Sequence, residues 1–193
     1  MLDEPFSAVD ANLRADARHN VIAALESVGA TAILVTHDQQ EALGFGGLLG
    51  VLDRGALLQF ATPEEIYDYP VSARVASLLG EAYFLDAVSD GHVARTAYGT
   101  IGLRTSGDIT SPSGTCRLLL REGQVLASAE GIPNAHVLRA VDEGHWTRLS
   151  IRPLGSNVPS HNVRVPRLPG AGARDGDRLR VELRGTGYVP PQT

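Results

Sequence analysis

Leu2-Asp3-Glu4-Pro5-Phe6-Ser7-Ala8-Val9-Asp10 places two adjacent carboxylates directly after a short apolar run, with an aspartate set to cap whatever follows. Downstream of Asp10, Leu13, Ala17, Val21, Ala24, Leu25 and Val28 recur at three- and four-residue spacing, and Gly29 is the stop, which predicts a helix. Ala32-Ile33-Leu34-Val35 is then a continuous apolar run, the pattern of a strand buried on both faces, and it ends at Thr36-His37-Asp38. Strand, helix and strand joined by short turns predict a piece of a parallel α/β sheet. In such sheets ligands are met at the carboxyl ends of the strands, where Asp3, Glu4 and His37 fall. An acidic pair at a strand end can hold Mg²⁺ through water and orient an attacking water, the two tasks phosphoryl transfer sets for protein carboxylates. The same two acids also read as solvated groups ahead of a helix cap.

Working outward, Gln39 to Leu43 begins a helix that Gly44, Gly46 and Gly47 keep short. Gly50 to Asp53 and Ala56 to Phe60 flank Arg54-Gly55 as a hairpin. Thr62-Pro63-Glu64-Glu65 is a capping box with proline at the first helical position, predicting a helix from Pro63 to about Tyr69. Ser72 caps another that buries Val75, Leu78 and Leu79 and ends at Gly80. Beyond Gly80 the pattern changes to β runs between Gly, Pro, Ser and Asp turns: 92–97, 100–104, 115–121, 134–141, 145–152, 162–168 and 178–183, with 168–177 as a loop. Charge divides at the same place, with four arginines against eleven acids up to Gly80, net −7, and net +2 after it.

Composition narrows the chemistry. All 17 basic residues are arginine, so the chain cannot supply the lysine of an ATP- or GTP-binding phosphate loop. A single cysteine, Cys116, excludes a disulfide framework and a cysteine-rich zinc site and reads as a buried small hydrophobe. His19, His92, His136, His145 and His161 lack metal-site spacing. The longest uncharged apolar-leaning stretch, Ala42 to Leu52, is far shorter than the ~20 residues of a membrane span, and no secretory leader is read ahead of Asp3. Trp146 and Tyr98 read as packing residues, because the arginines near them form no dense cluster.

Leu2-Asp3-Glu4-Pro5-Phe6-Ser7-Ala8-Val9-Asp10 resembles the Walker B and D-loop segment of ATP-binding cassette (ABC) transporter ATPases, and Leu34-Val35-Thr36-His37-Asp38-Gln39-Gln40-Glu41-Ala42-Leu43 resembles their H-loop. Phe60 to Pro70 is similar to the segment closing the nucleotide-binding domain of importers of the maltose, polyamine, sulfate and ferric-iron type. Glu81-Ala82-Tyr83-Phe84-Leu85 resembles the linker into their transport-associated β domain of oligonucleotide-binding-fold (OB-like) type, and Leu118 to Gly123 its central strand and turn. The resemblance implies an α/β fragment of a P-loop NTPase cassette over 1–80 and an all-β OB-like regulatory domain over 81–193.

It implies ATP and Mg²⁺ as ligands, with Asp3 helping to hold Mg²⁺, Glu4 acting on the hydrolytic water, Asp10 facing a second ATPase subunit in a homodimer, and His37 touching the γ-phosphate. Its further partners would be transmembrane permease subunits and, indirectly, an external solute-binding protein. The location implied is cytoplasmic, peripheral on the inner membrane face. Nucleic acid is not an expected partner, since net +2 without aromatic and arginine stripes is a poor footprint for several phosphate contacts. The family's phosphate loop, Q-loop and signature sequence do not occur in these 193 residues, and Gly47-Leu48 replace its usual Asp-Arg. Two functions therefore stand: the C-terminal portion of an importer's ATP-hydrolysing subunit, inactive alone, or a non-catalytic regulatory and dimerisation module with a vestigial cassette stub. Tyr98 to Leu103 faintly resembles ferric-iron importers.

Overall fold

The computed structural model describes residues 1–105, 112–156, 158–167 and 172–191. The chain falls into two units, Met1–Leu79 and Gly80–Thr193. In the first, β1 (Leu2–Asp3) leads to α1 (Ala11–Ser27), β2 (Leu34–Val35) and α2 (Gln39–Gly44). An antiparallel hairpin, β3 (Leu49–Asp53) and β4 (Ala56–Ala61), and the short helices α3 (Pro63–Asp68) and α4 (Ala73–Leu78) complete it.

Local chemistry accounts for the boundaries. Asp10 caps α1 by accepting from the Asn12 N–H at 2.9 Å, and Gly29 ends it with φ +61°. The hairpin turns through Arg54 and Gly55, both at positive φ, the two-residue geometry that matches strand twist. Thr62 accepts from the Glu65 N–H with Pro63 opening α3, and Ser72 accepts from the Val75 N–H at the start of α4. After α2, Gly46 and Gly47 take φ +82° and +68°, so these glycines end the helix where the chain must reverse. Val51, Ile66, Val75 and Leu79 form the buried cluster of this unit, and the Arg74 guanidinium grips both Asp53 oxygens at 2.8 and 3.0 Å. The hydrogen bonds from Arg74, and then its charge, hold the Asp53 carboxyl below the usual carboxylate range.

Two expectations are corrected. The run Ala32 to Val35 is not a strand buried on both faces: only Leu34 and Val35 are extended, β2 pairs with β1 alone, and Ile33 and Val35 are exposed. The apolar stripe of α1 is likewise only partly covered, with Leu13 and Val28 in solvent.

The second unit is all β. One five-stranded sheet has the order β14-β7-β6-β5-β8, built from β5 (Ala82–Asp90), β6 (Val93–Thr96), β7 (Gly99–Leu103), β8 (Ser113–Arg121) and β14 (Thr186–Gly187). The other, β12-β11-β10-β13-β9, uses β9 (Val125–Ser128), β10 (Ala135–Asp142), β11 (Trp146–Pro153), β12 (His161–Pro166) and β13 (Arg178–Leu183). All neighbours are antiparallel except β14 with β7. Of the segment 81–85, expected as a linker, residues 82–85 are instead the start of β5, paired with β8 from Ala82↔Arg121 to Asp90↔Ser113.

Leu85, Leu118 and Leu120 of one sheet meet Val137, Leu149, Ile151, Val163 and Val181 of the other in a single core. Cys116 and Tyr98 are buried in it, as read from the sequence, and Trp146 is half-buried. One polar stitch joins the two sheets, the Tyr83 hydroxyl accepting from the Arg164 N–H at 3.0 Å, and within the second sheet the Asn134 amide, just ahead of β10, bonds both backbone groups of Val181 on the neighbouring β13. Burial pushes the Tyr83 phenol up to about 12. Of the loop expected at 168–177, residues 168–171 lie outside the described residues, and 172–177 carry no strand.

Candidate functional site

The parallel pairing of β1 and β2 builds the candidate site. The register Leu2↔Leu34 and Asp3↔Val35 is extended by the Glu4 N–H donating to the Val35 carbonyl at 2.8 Å, so the residues leaving the two strands emerge side by side. Glu4 then turns the chain with φ +42°, a left-handed conformation that a non-glycine residue rarely takes. Ser7 fixes the turn through its N–H and hydroxyl, both on the Glu4 carbonyl, and buried Phe6 anchors it.

From the other strand His37 follows Thr36, and its Nδ1 lies 2.7 Å from Glu4 Oε1. The hydrogen bond that the imidazolium donates to Glu4, and then the Glu4 charge, raise the His37 imidazole above its ordinary value. A protonated imidazole bound to a carboxylate at Nδ1 keeps Nε2–H as a donor for a second acceptor. The His37 side chain is 78% exposed, open to a ligand from solvent.

The segment around His37 is held by groups the sequence reading did not single out. The Thr36 hydroxyl donates to Glu41 at 2.6 Å and accepts from the Asp38 N–H at 3.0 Å. Asp38 Oδ1 caps α2 by accepting from the Gln40 and Glu41 N–H groups, and Glu41 is buried. Arg14, on α1, donates from Nε to the Val9 carbonyl at 3.3 Å and from a terminal nitrogen to Asp38 at 3.5 Å. Arg14 and Asp38 are 24 residues apart, so no local pattern reveals their contact.

The structure thus brings Glu4 and His37 into contact. Asp3 ends β1 beside them in register with Val35 and is exposed. Asp10 is engaged as the cap of α1. Among the described residues no group of three or more His, Cys, Asp or Glu side chains is close enough to hold a metal ion. None of their helices is long and apolar enough to cross a membrane.

Over nearly its whole length the chain is homologous to the ATP-binding subunits of ABC importers. It is 36% identical over 187 residues to an Fe(3+) ions import ATP-binding protein of Rhodococcus jostii, covering 96% of this chain and 53% of the relative. A protein of the same description from Pseudomonas fluorescens is 39% identical over 196 residues, covering 98% and 54%. A sulfate/thiosulfate import ATP-binding protein of Nocardia farcinica is 36% identical over 152 residues, covering 79% and 41%. The chain spans about half the length of the curated relatives it matches. No protein-family model matches it.

Proposed function

We propose that this chain is the portion of an ABC importer's ATP-hydrolysing subunit that carries the Walker B, D-loop and H-loop segments, followed by an OB-like regulatory β domain. The observation that carries this reading is the 2.7 Å contact between Glu4, held in a left-handed turn at the end of β1, and His37 at the end of the parallel β2. Glu4 acts on the hydrolytic water and His37 on the γ-phosphate. Asp3 holds Mg²⁺ through water, and Asp10 faces a second subunit. The donor set fits one side of a nucleotide: carboxylates for water and metal, and an imidazole for phosphate oxygen. It lacks the cationic cradle, since the chain contains no lysine.

The working assembly is a homodimer docked on permease subunits at the inner membrane face, served indirectly by an external solute-binding protein. The relatives named for Fe(3+) and sulfate favour an inorganic ion as solute, with ferric iron first. Arg117, Arg148, Arg164, Arg167 and Arg180 face carboxylates, which offsets the positive charge of the β unit.

Calorimetry with Mg-ATP tests the reading. The chain alone is expected to bind weakly, with no micromolar affinity and no turnover; joined to a phosphate-loop and signature portion of a relative, it should turn ATP over, and Glu4→Gln should bind ATP while turnover falls by ~10²- to 10⁴-fold. Wild-type turnover in Glu4→Gln would exclude the role of Glu4. The alternative, a regulatory module with a vestigial cassette stub, is favoured by one observation, the far larger buried core of the second unit. It predicts that the joined protein stays inactive.

A further inference from the structure

We propose that Arg14 is a positioning residue that fixes the turn ending at Asp10 to the turn carrying His37, so that a displacement of either segment is carried to the other. One planar guanidinium spans both: Nε donates to the carbonyl of Val9, next to Asp10, and a terminal nitrogen faces Asp38 Oδ2, next to His37. Because the guanidinium fork is rigid, neither contact can move far without disturbing the other.

On the far side Arg14 grips no free carboxylate. Asp38 is the cap of α2, its other oxygen accepting from the Gln40 and Glu41 N–H groups, and buried Glu41 is tied in turn to Thr36. Arg18, one turn along the same face of α1, lies against the other end of α2: a Cβ on Gly44 would fall 3.3 Å from its Cζ and Nε. A helix of six residues does not hold its own orientation, and here two arginines from α1 flank both its ends. A side chain at position 44 would make the Arg18 guanidinium shift by a few tenths of an ångström. This link deepens the nucleotide reading, on which only its consequence for turnover rests; the contacts themselves do not depend on it.

The test uses the whole 193-residue chain, ¹⁵N-labelled, without nucleotide. Asp38→Asn keeps an oxygen to cap α2 but removes the charge facing Arg14, so a purely local role confines its effects to α2. The coupling predicts instead that Asp38→Asn and Arg14→Ala both shift the Val9 and Asp10 amides and speed exchange of the Val9 amide about two- to fivefold, the scale of a partly exposed ion pair. Arg14→Lys keeps the charge but not the fork; it should return the 37–40 amides to their wild-type positions while Val9 stays fast. Val9 and Asp10 amides unmoved in Asp38→Asn would overturn the proposal. Should Arg14→Ala unfold the first unit, the Asp38→Asn result decides alone. Calorimetry can refute the nucleotide reading while these amides still move together, and the amides can fail to move while ATP binding stands, so the two failures are distinguishable.

Discussion

At the residue scale, Glu4 combines two features that seldom coincide without a use. Its backbone is held at φ +42°, a conformation costing on the order of 1–3 kcal/mol for a side-chain-bearing residue, and its carboxylate is turned onto His37. The pair is open to solvent, so its worth to folding is small, but it sets the charge of the imidazole. The folded value of His37 is raised, so the pair contributes fully below the ordinary imidazole value near 6.5, and its contribution is lost as pH rises through the folded value. Glu4→Gln should therefore move the His37 midpoint down towards 6.5, followed by the ring-proton signals in an NMR titration. An unchanged midpoint would mean that the contact does not persist in solution. The sequence carried both partners of this pair, because each ends an apolar run. It did not carry the link from Arg14 to Asp38, which lies 24 residues away and is brought near by the pairing of β1 with β2.

At the scale of elements, turns and caps were more legible than burial. The caps at Asp10, Thr62 and Ser72 and the Arg54-Gly55 turn lie where the residue types place them, since each depends on atoms within a few residues. Thr62→Ala should accordingly cost the first unit about 1 kcal/mol by removing the acceptor for the Glu65 N–H, measured by chemical denaturation. Burial depends on what else is packed nearby, so the apolar runs of α1 and β2 misled. Strand β5 was missed for a different reason: its inward residues Tyr83, Leu85, Ala87 and Ser89 alternate correctly, but the last two are small and weaken the hydrophobic signal. A packing constraint equally hidden from sequence lies at Gly187 on the short strand β14. A Cβ there would overlap the Cδ1 of Leu118, which is fully buried and cannot swing away. Gly187→Ala should destabilise the second unit by about 1–3 kcal/mol, with Thr186→Ala, on a residue exposed to solvent, as the near-neutral comparison.

At the scale of the whole molecule, the two units differ in how much apolar surface they cover. The second unit closes two five-stranded sheets over one core in which Leu118, Leu120, Leu149 and Ile151 are completely buried. The first unit buries a small cluster around Ile66 and Val75, while Leu13, Ile33, Leu52, Leu57 and Phe60 stand in solvent. Local opening free energy follows buried apolar contact, so the first unit should open at much lower cost than the second. Limited proteolysis of the whole chain should then degrade residues before Gly80 first and leave a resistant fragment. The start of that fragment can be placed closely. Strand β5 begins at Ala82, and its ladder with β8 protects the backbone from there onward, so the surviving N-terminus should fall between Leu79 and Ala82. Mass spectrometry of the time course reads it directly: a fragment starting in that window supports the order of stability, whereas survival of the first unit after loss of the β strands would reverse it.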